Sequence, residues 1–226
     1  MRVNFSDLVL YEDNHLLVIF KPSNVICQDD ISKDESIVTM AKKYLKDKYQ
    51  KPGNVYVGLV HRLDRMTEGV LVLAKTSKAA SRLSDDIRNG QWEKHYLALV
   101  NGIINVDGRL TDYVDKINDT KKMMIVPAGH GQLAKLSYQV IKTFKDETLL
   151  KVNLETGRHH QIRVQFAGFK HPLVGDTLYG NPKVHKDLYL ACIKISFKHP
   201  TTDKLIEISS LPRSTKWHKY LEGVEL

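Results

Sequence analysis

The sequence predicts an α+β fold in which helices flank a mixed, mostly antiparallel sheet. Two observations predict it: strand-like segments outnumber helical ones, and many of them follow one another across short turns, as hairpins do. The chain has 226 residues. It carries no internal repeat and no low-complexity stretch, and its length suggests one large domain or two small ones.

The elements follow in order. Val18-Ile19-Phe20, closed by Lys21-Pro22, reads as a strand stopped by proline. From Ser36 to Tyr49, Ile37, Met40, Ala41, Tyr44 and Leu45 recur at helical spacing, and Gln50 to Asn54 breaks the pattern. His61 to Gly69 is short, polar and charged, and it feeds Val70 to Ala74, a continuous apolar run typical of a buried strand. Ser77 to Asn89 is the clearest helix, with Ser77 placed to cap it, Ala80, Leu83 and Ile87 on one face, and Gly90 placed to stop it. His95 to Val100 is a strand. Ala134 to Thr143 and Thr148 to Leu154 pair around a turn at 145–147. Gly157 to Ala167 reads as a short helix with Ile162 and Phe166 inward. Strands at Leu188 to Phe197 and Leu205 to Ile208, then a helix at Thr215 to Leu221, complete the pattern.

Lysine and arginine number 34 against 26 acids, a net charge of +8. That balance favours polyanionic partners. No run of about 18 apolar residues is present, so no membrane span is expected. The N terminus has an early acid and no apolar core of a secretion signal. Cys27 and Cys192 have no Cys-x-x-Cys partners and fit two reduced thiols in a cytoplasmic protein. GxGxxG and Walker signatures are absent, so no cofactor is expected.

Four segments concentrate chemistry. In His61-Arg62-Leu63-Asp64-Arg65, a carboxylate stands between two arginines beside a core strand. Two readings fit: an ionised acid acting as nucleophile or base, or a structural ion pair. Tyr96 lies in a strand, where a tyrosine serves either as core or as a plate for a nucleobase. Arg158, His159, His160, Gln161 and Arg163 crowd a loop-to-helix junction, a setting that suits phosphate. No metal site is expected there, because adjacent histidines diverge on a helix and no H-E-x-x-H template is present. His171 to Gly180 has the Pro and Gly spacing of a tight structural loop.

Together these segments resemble the RluA-type family of RNA pseudouridine synthases. His61-Arg62-Leu63-Asp64 with Thr67 and Gly69 resembles its catalytic motif, and Thr156 to Arg163 its later motif. Gly175-Asp176 and Tyr179-Gly180 continue the match, Lys21-Pro22 resembles the opening motif, and Phe197 with His199-Pro200 the closing one. The likeness runs from about residue 10 to about residue 212. Glu68, Met66, His159, Gln165 and Ala191 depart from common family residues, which leaves the substrate open.

The resemblance implies a single catalytic domain over 1–226 with the pseudouridine synthase fold, and isomerisation of a flipped uridine in ribosomal or transfer RNA. Many relatives carry an extra N-terminal RNA-binding domain, which is not expected here because the first candidate strand begins by about residue 8. It implies Asp64 as the catalytic carboxylate, Arg163 as its pairing partner and Tyr96 as the ring stacked on uracil. His61, Arg62, Arg158 and Leu190 are the implied substrate contacts. A monomer is expected. Two rivals stand beside this reading. One is a non-catalytic RNA-binding module of the same fold. The other is a hydrolase pairing Asp64 with a second acid such as Asp85 or Glu155, which needs carboxylates about 5–10 Å apart.

Overall fold

The computed structural model describes residues 4–118, 120, 122–181 and 187–224. The chain divides into two compact units, each discontinuous in sequence: 1–92 with 192–212, and 93–191 with 213–226.

In the first unit, a 3-10 turn at Phe5–Leu8 leads into β1 (Val9–Glu12) and β2 (Leu16–Lys21). Then come α1 (Ile37–Lys48), β3 (Gly58–Leu59), β4 (Glu68–Ala74) and α2 (Ser77–Arg88). Strand β10 (Leu190–Lys198), which belongs to this unit from Cys192 onward, and β11 (Leu205–Ser209) return later. The sheet order is β1-β2-β4-β10, with β3 also on β4 and β11 also on β10. Every residue of β2 and β4 is buried. That two-sided burial is why both read as unbroken apolar runs rather than alternating ones.

The helix predicted over 36–49 is present as α1; Ser36 accepts from the Thr39 amide and caps it, while Ile37, Ala41 and Leu45 face the core. On α2 the cap is Thr76, one residue before Ser77, because the Thr76 hydroxyl reaches the Ala79 amide. Its buried face is Ala79 and Leu83 rather than Ala80 and Ile87.

In the second unit, β5 (Glu93–Asn101), β6 (Gly108–Lys116), β7 (Met123–Val126), β8 (Gln132–Thr143) and β9 (Glu147–Leu154) are followed by α3 (Gln161–Gly168). A 3-10 turn at Thr215–Trp217 and α4 (His218–Leu221) end it. The order is β5-β9-β8-β6-β7, and each of these pairings is antiparallel. The predicted β8–β9 hairpin is present. Strands β6 and β7 are additions to the sequence reading. Helix α3 starts at Gln161, not Gly157, because His160 holds a left-handed backbone (φ 51°) that ends the preceding turn.

Among the described residues, no helix is long and apolar enough to cross a membrane.

Candidate active site

In the first unit, residues 60–67 link β3 to β4 and carry Asp64. The Thr67 amide donates to the Asp64 carbonyl at 3.0 Å, so 64–67 form a closed turn. Four side chains tie this loop to the frame. The buried ammonium of Lys21, at the end of β2, donates to the carbonyls of Pro22 (2.9 Å), Val25 (2.8 Å) and Arg65 (3.1 Å). Ser23 donates to the Met66 carbonyl at 2.9 Å, and the Cys27 thiol to the Leu63 carbonyl at 3.2 Å. His61 Nε2 accepts from the Val72 amide at 2.9 Å, continuing the β4 edge where β3 stops. Its ring meets Trp92 edge-on at 5.3 Å, and Trp92 stacks on Phe197 at 4.6 Å.

These tethers fix the loop's backbone while Asp64 itself is half-buried and Arg62 exposed. The other flanking arginine, Arg65, donates to Asn24 at 2.9 Å and pairs with Asp34 at 2.7 Å. Burial pulls the Lys21 ammonium down to about 8, and the charges of Cys27, Asp64 and Glu68 partly oppose that pull. Gly69 opens the strand with φ +121°, and a Cβ there would lie 2.1 Å from the Cys192 carbonyl oxygen. Only glycine fits. The Thr67 hydroxyl is buried with no hydrogen-bond partner among the described residues.

In the second unit, Tyr96 sits on β5 in register with Val152 and is 6% exposed. Leu190 is buried at the start of β10. Arg158 lies in the loop before α3, where its Nε donates to the Leu133 carbonyl at 2.9 Å and its amide to Gln161 Oε1 at 3.0 Å.

The loop below it rests on a buried amide chain. Gln161 accepts from the Thr156 hydroxyl at 2.8 Å and donates to Gln165 at 3.0 Å; Gln165 donates to Asp112 at 2.7 Å. A histidine at 165 has no amide with which to accept from Gln161 and donate to Asp112 from one terminus.

Arg163 extends from α3 into a bidentate pair with Asp176, Nε to Oδ2 at 2.7 Å and Nη2 to Oδ1 at 2.9 Å. The guanidinium also lies over the Tyr179 ring at 5.2 Å. Asp176 accepts the Leu178 and Tyr179 amides as well. Burial pushes its pKa up, but Arg163 and those amides outweigh burial and hold it below the ordinary value. The Tyr179 hydroxyl accepts from the Met123 amide at 2.8 Å and meets His160 Nδ1 at 3.0 Å.

The stretch 171–180, expected from its Pro and Gly spacing to be a structural loop, carries Asp176 and Tyr179, the setting of Arg163. The signal was a lone acid within an apolar, Gly- and Pro-marked stretch, since a buried carboxylate needs a cation. His159 and His160 do not diverge as expected. They precede the helix, and their rings stack at 3.8 Å.

Each second acid of the hydrolase rival is engaged with an arginine. Glu155 takes both its oxygens to Arg109 Nη2 at 2.7 Å, and Asp85 pairs with Arg88 on the exposed side of α2.

Comparison with known proteins gives a consistent picture. A family model described as RNA pseudouridylate synthase matches residues 15–168. The chain is 33% identical over 191 residues to ribosomal large subunit pseudouridine synthase D of Yersinia pestis, covering 82% of this chain and 58% of that protein. It is 30% identical to ribosomal large subunit pseudouridine synthase C of Buchnera aphidicola, covering 98% of this chain and 72% of that protein. The chain thus spans less than two thirds of the Yersinia relative's length. Among solved structures, human RNA pseudouridylate synthase domain containing 4 superposes with a TM-score of 0.80 at 20% identity, over 98% of this chain and 95% of that one. Human domain containing 1 superposes with a TM-score of 0.70 at 22% identity, over 90% of this chain and 82% of that one. At those identities the likeness concerns the fold, which is that of pseudouridylate synthase domains.

Proposed function

The chain belongs to the RNA pseudouridylate synthase family, and from that membership we propose that it isomerises uridine to pseudouridine in RNA, with Asp64 as the catalytic carboxylate. The observation that carries this reading is the Asp64 loop. Four side chains tether its backbone, three of them to its carbonyls, and they leave the Asp64 side chain half-buried on a fixed turn. A rigid support of this kind is what a reacting group needs, because small displacements cost rate steeply.

The reaction breaks the bond between ribose and N1 of uracil, rotates the base, and forms a bond from the ribose to C5. The proton at C5 is then lost to restore the ring. No oxidant, reductant or donated group enters. Asp64 acts either on the anomeric carbon or on a ribose proton, and both roles use the carboxylate form. The target base must first leave its stack, at a cost of roughly a few kcal/mol.

In this reading Arg163, held by Asp176 and Tyr179, supplies the cation for Asp64, and Tyr96 supplies the ring against uracil. Arg62 and Arg158 contact the RNA, Leu190 lines the base pocket, and His61 fixes the loop at the substrate. The substrate is ribosomal RNA, following the names of the relatives, with transfer RNA as the second class to assay. The working unit is a monomer, 1–226 acting as one catalytic domain in the cytoplasm.

The experiment is to map pseudouridines across cellular RNA with and without the protein, then assay Asp64→Asn on the sites that depend on it. A missing site in the deletion that Asp64→Asn fails to restore supports the proposal. Full restoration by Asp64→Asn overturns the role of Asp64. Product of reduced mass, from a lost base, overturns isomerisation in favour of hydrolysis.

A further inference from the structure

Half of the chain's net charge lies in one short stretch. Residues 37–51, helix α1 and its exit, hold five lysines (42, 43, 46, 48 and 51) against Asp47 alone, in a chain of net +8. The apolar face of α1 is buried, so all five lysines project outward and are exposed. Lys43 pairs with Glu35 and Lys48 with Glu12. Lys42, Lys46 and Lys51 make no ion pair among the described residues. Lys42 and Lys46 are four residues apart, on one side of the helix and about 6 Å apart along its axis.

Of the two tyrosines on this stretch, Tyr44 is half-buried with its ring 5.2 Å from that of Phe5, and Tyr49 is 46% exposed but crowded by cations. The Tyr49 ring has the ammonium groups of Lys75, Lys48 and Lys51 at 4.9, 5.5 and 5.7 Å from its centre. Its hydroxyl is tied to Glu12 at 2.6 Å, and that of Tyr44 at 3.0 Å. Burial pushes Glu12 up, yet its bonds from Lys48, Lys75, Tyr49 and Tyr44 outweigh burial and bring it down to about 2. Glu12 therefore stays ionised and holds the surface in one arrangement.

We propose that the exposed lysine face of α1 is a second RNA-docking surface that grips the phosphate backbone of a duplex stem. Proteins that hold single strands join a basic groove to open aromatic rings. This face is a convex row of five lysines on α1 and its exit, with one exposed ring, Tyr49, already surrounded by three ammonium groups. A grip led by phosphate contacts suits a stem whose bases are already paired. The proposal rests on the RNA reading above and adds a place and a class of RNA structure to it.

The test uses the full-length protein and two probes, a 20-base-pair RNA duplex and a single-stranded oligouridine of equal charge. Binding is followed over a salt series for wild type and for the triple variant Lys42→Gln, Lys46→Gln, Lys51→Gln. The substituted positions are exposed, and an unchanged melting curve verifies folding. The variant should bind duplex at least tenfold more weakly at 100 mM salt. The slope of log affinity against log salt should be shallower by about two to three. Oligouridine binding should change less than threefold. Equal duplex affinity and slope in variant and wild type overturn the docking surface while leaving the RNA enzyme intact. A loss of oligouridine binding as large as that of duplex overturns the duplex assignment. Failure of the wild type to bind either probe counts against the RNA reading itself. A triple variant that melts early is replaced by the three single substitutions, whose slopes should each fall by about one.

Discussion

Arg163 and Asp176 form a two-point ion pair, with 11% of the arginine side chain and none of the aspartate exposed. Thirteen residues separate them, and the pair fixes the guanidinium before any substrate arrives. Breaking such a pair from one side strands the other charge. Asp176→Ala should therefore lower unfolding free energy by about 3–5 kcal/mol in urea titrations. Asp176→Asn keeps the shape and, with its carbonyl at the Oδ1 position, the acceptance of both amides, so it should cost less while still lowering kcat on the RNA substrate. Equal stability of Asp176→Ala and wild type would count against the pair as drawn.

The same aspartate gives a pH signature. Its folded pKa lies below the ordinary value, so on acidification the unfolded chain takes up the proton first. Its contribution is complete above the ordinary carboxylate pKa of about 4 and fades as pH falls below it. Wild type and Asp176→Asn should accordingly converge in stability at low pH and separate towards neutrality.

Lys21 has the opposite sense. Its folded pKa is brought down to about 8, so between that value and 10.5 the unfolded chain holds a proton that the folded chain has released. Stability from this group therefore rises with pH across that window. An NMR titration of the Lys21 side chain should show a midpoint near 8. Lys21→Met leaves the Pro22, Val25 and Arg65 carbonyls without their donor, at about 1–3 kcal/mol for each that stays dry. Turnover should fall with it, because the Arg65 carbonyl belongs to the turn that carries Asp64.

His61 should act through Val72. Its Nε2 accepts that amide, so His61→Phe keeps an aromatic edge against Trp92 and removes the acceptor. Hydrogen exchange at the Val72 amide should then quicken while neighbouring β4 amides stay protected. Unchanged protection at Val72 would show that another group takes the bond.

Gly69 should tolerate nothing larger. Its positive φ and the Cys192 carbonyl, 2.1 Å from where a Cβ would stand, mean that Gly69→Ala forces β4 or β10 to shift. The expected outcome is insoluble or poorly folded protein, read by circular dichroism and expression yield.

Much of the architecture was legible because local signals agreed with it. Val70 to Ala74 is apolar throughout since β4 is covered on both faces, and the spacing of Ile37, Ala41 and Leu45 marks the buried face of α1. Strands β6 and β7 were not legible, since their residues are mostly exposed or half-exposed and carry no clean alternation. The start of α3 was misread because only the backbone of His160 reveals the left-handed residue that ends the preceding turn. The position of Asp64 on a loop before a core strand was readable. Its support was not: Lys21 meets Arg65 across 44 residues and Ser23 meets Met66 across 43, and such pairings leave no trace in periodicity.

The interleaving of the two units bears on synthesis. The first 92 residues leave the ribosome early, yet their unit lacks residues 192–212 and so lacks most of β10 and all of β11. About a hundred further residues must be translated before those strands begin to emerge, roughly 5–20 s at ordinary elongation rates. Until then the apolar edge of β4 waits for its neighbour in the nascent chain, and no single cut in the gene yields either unit whole.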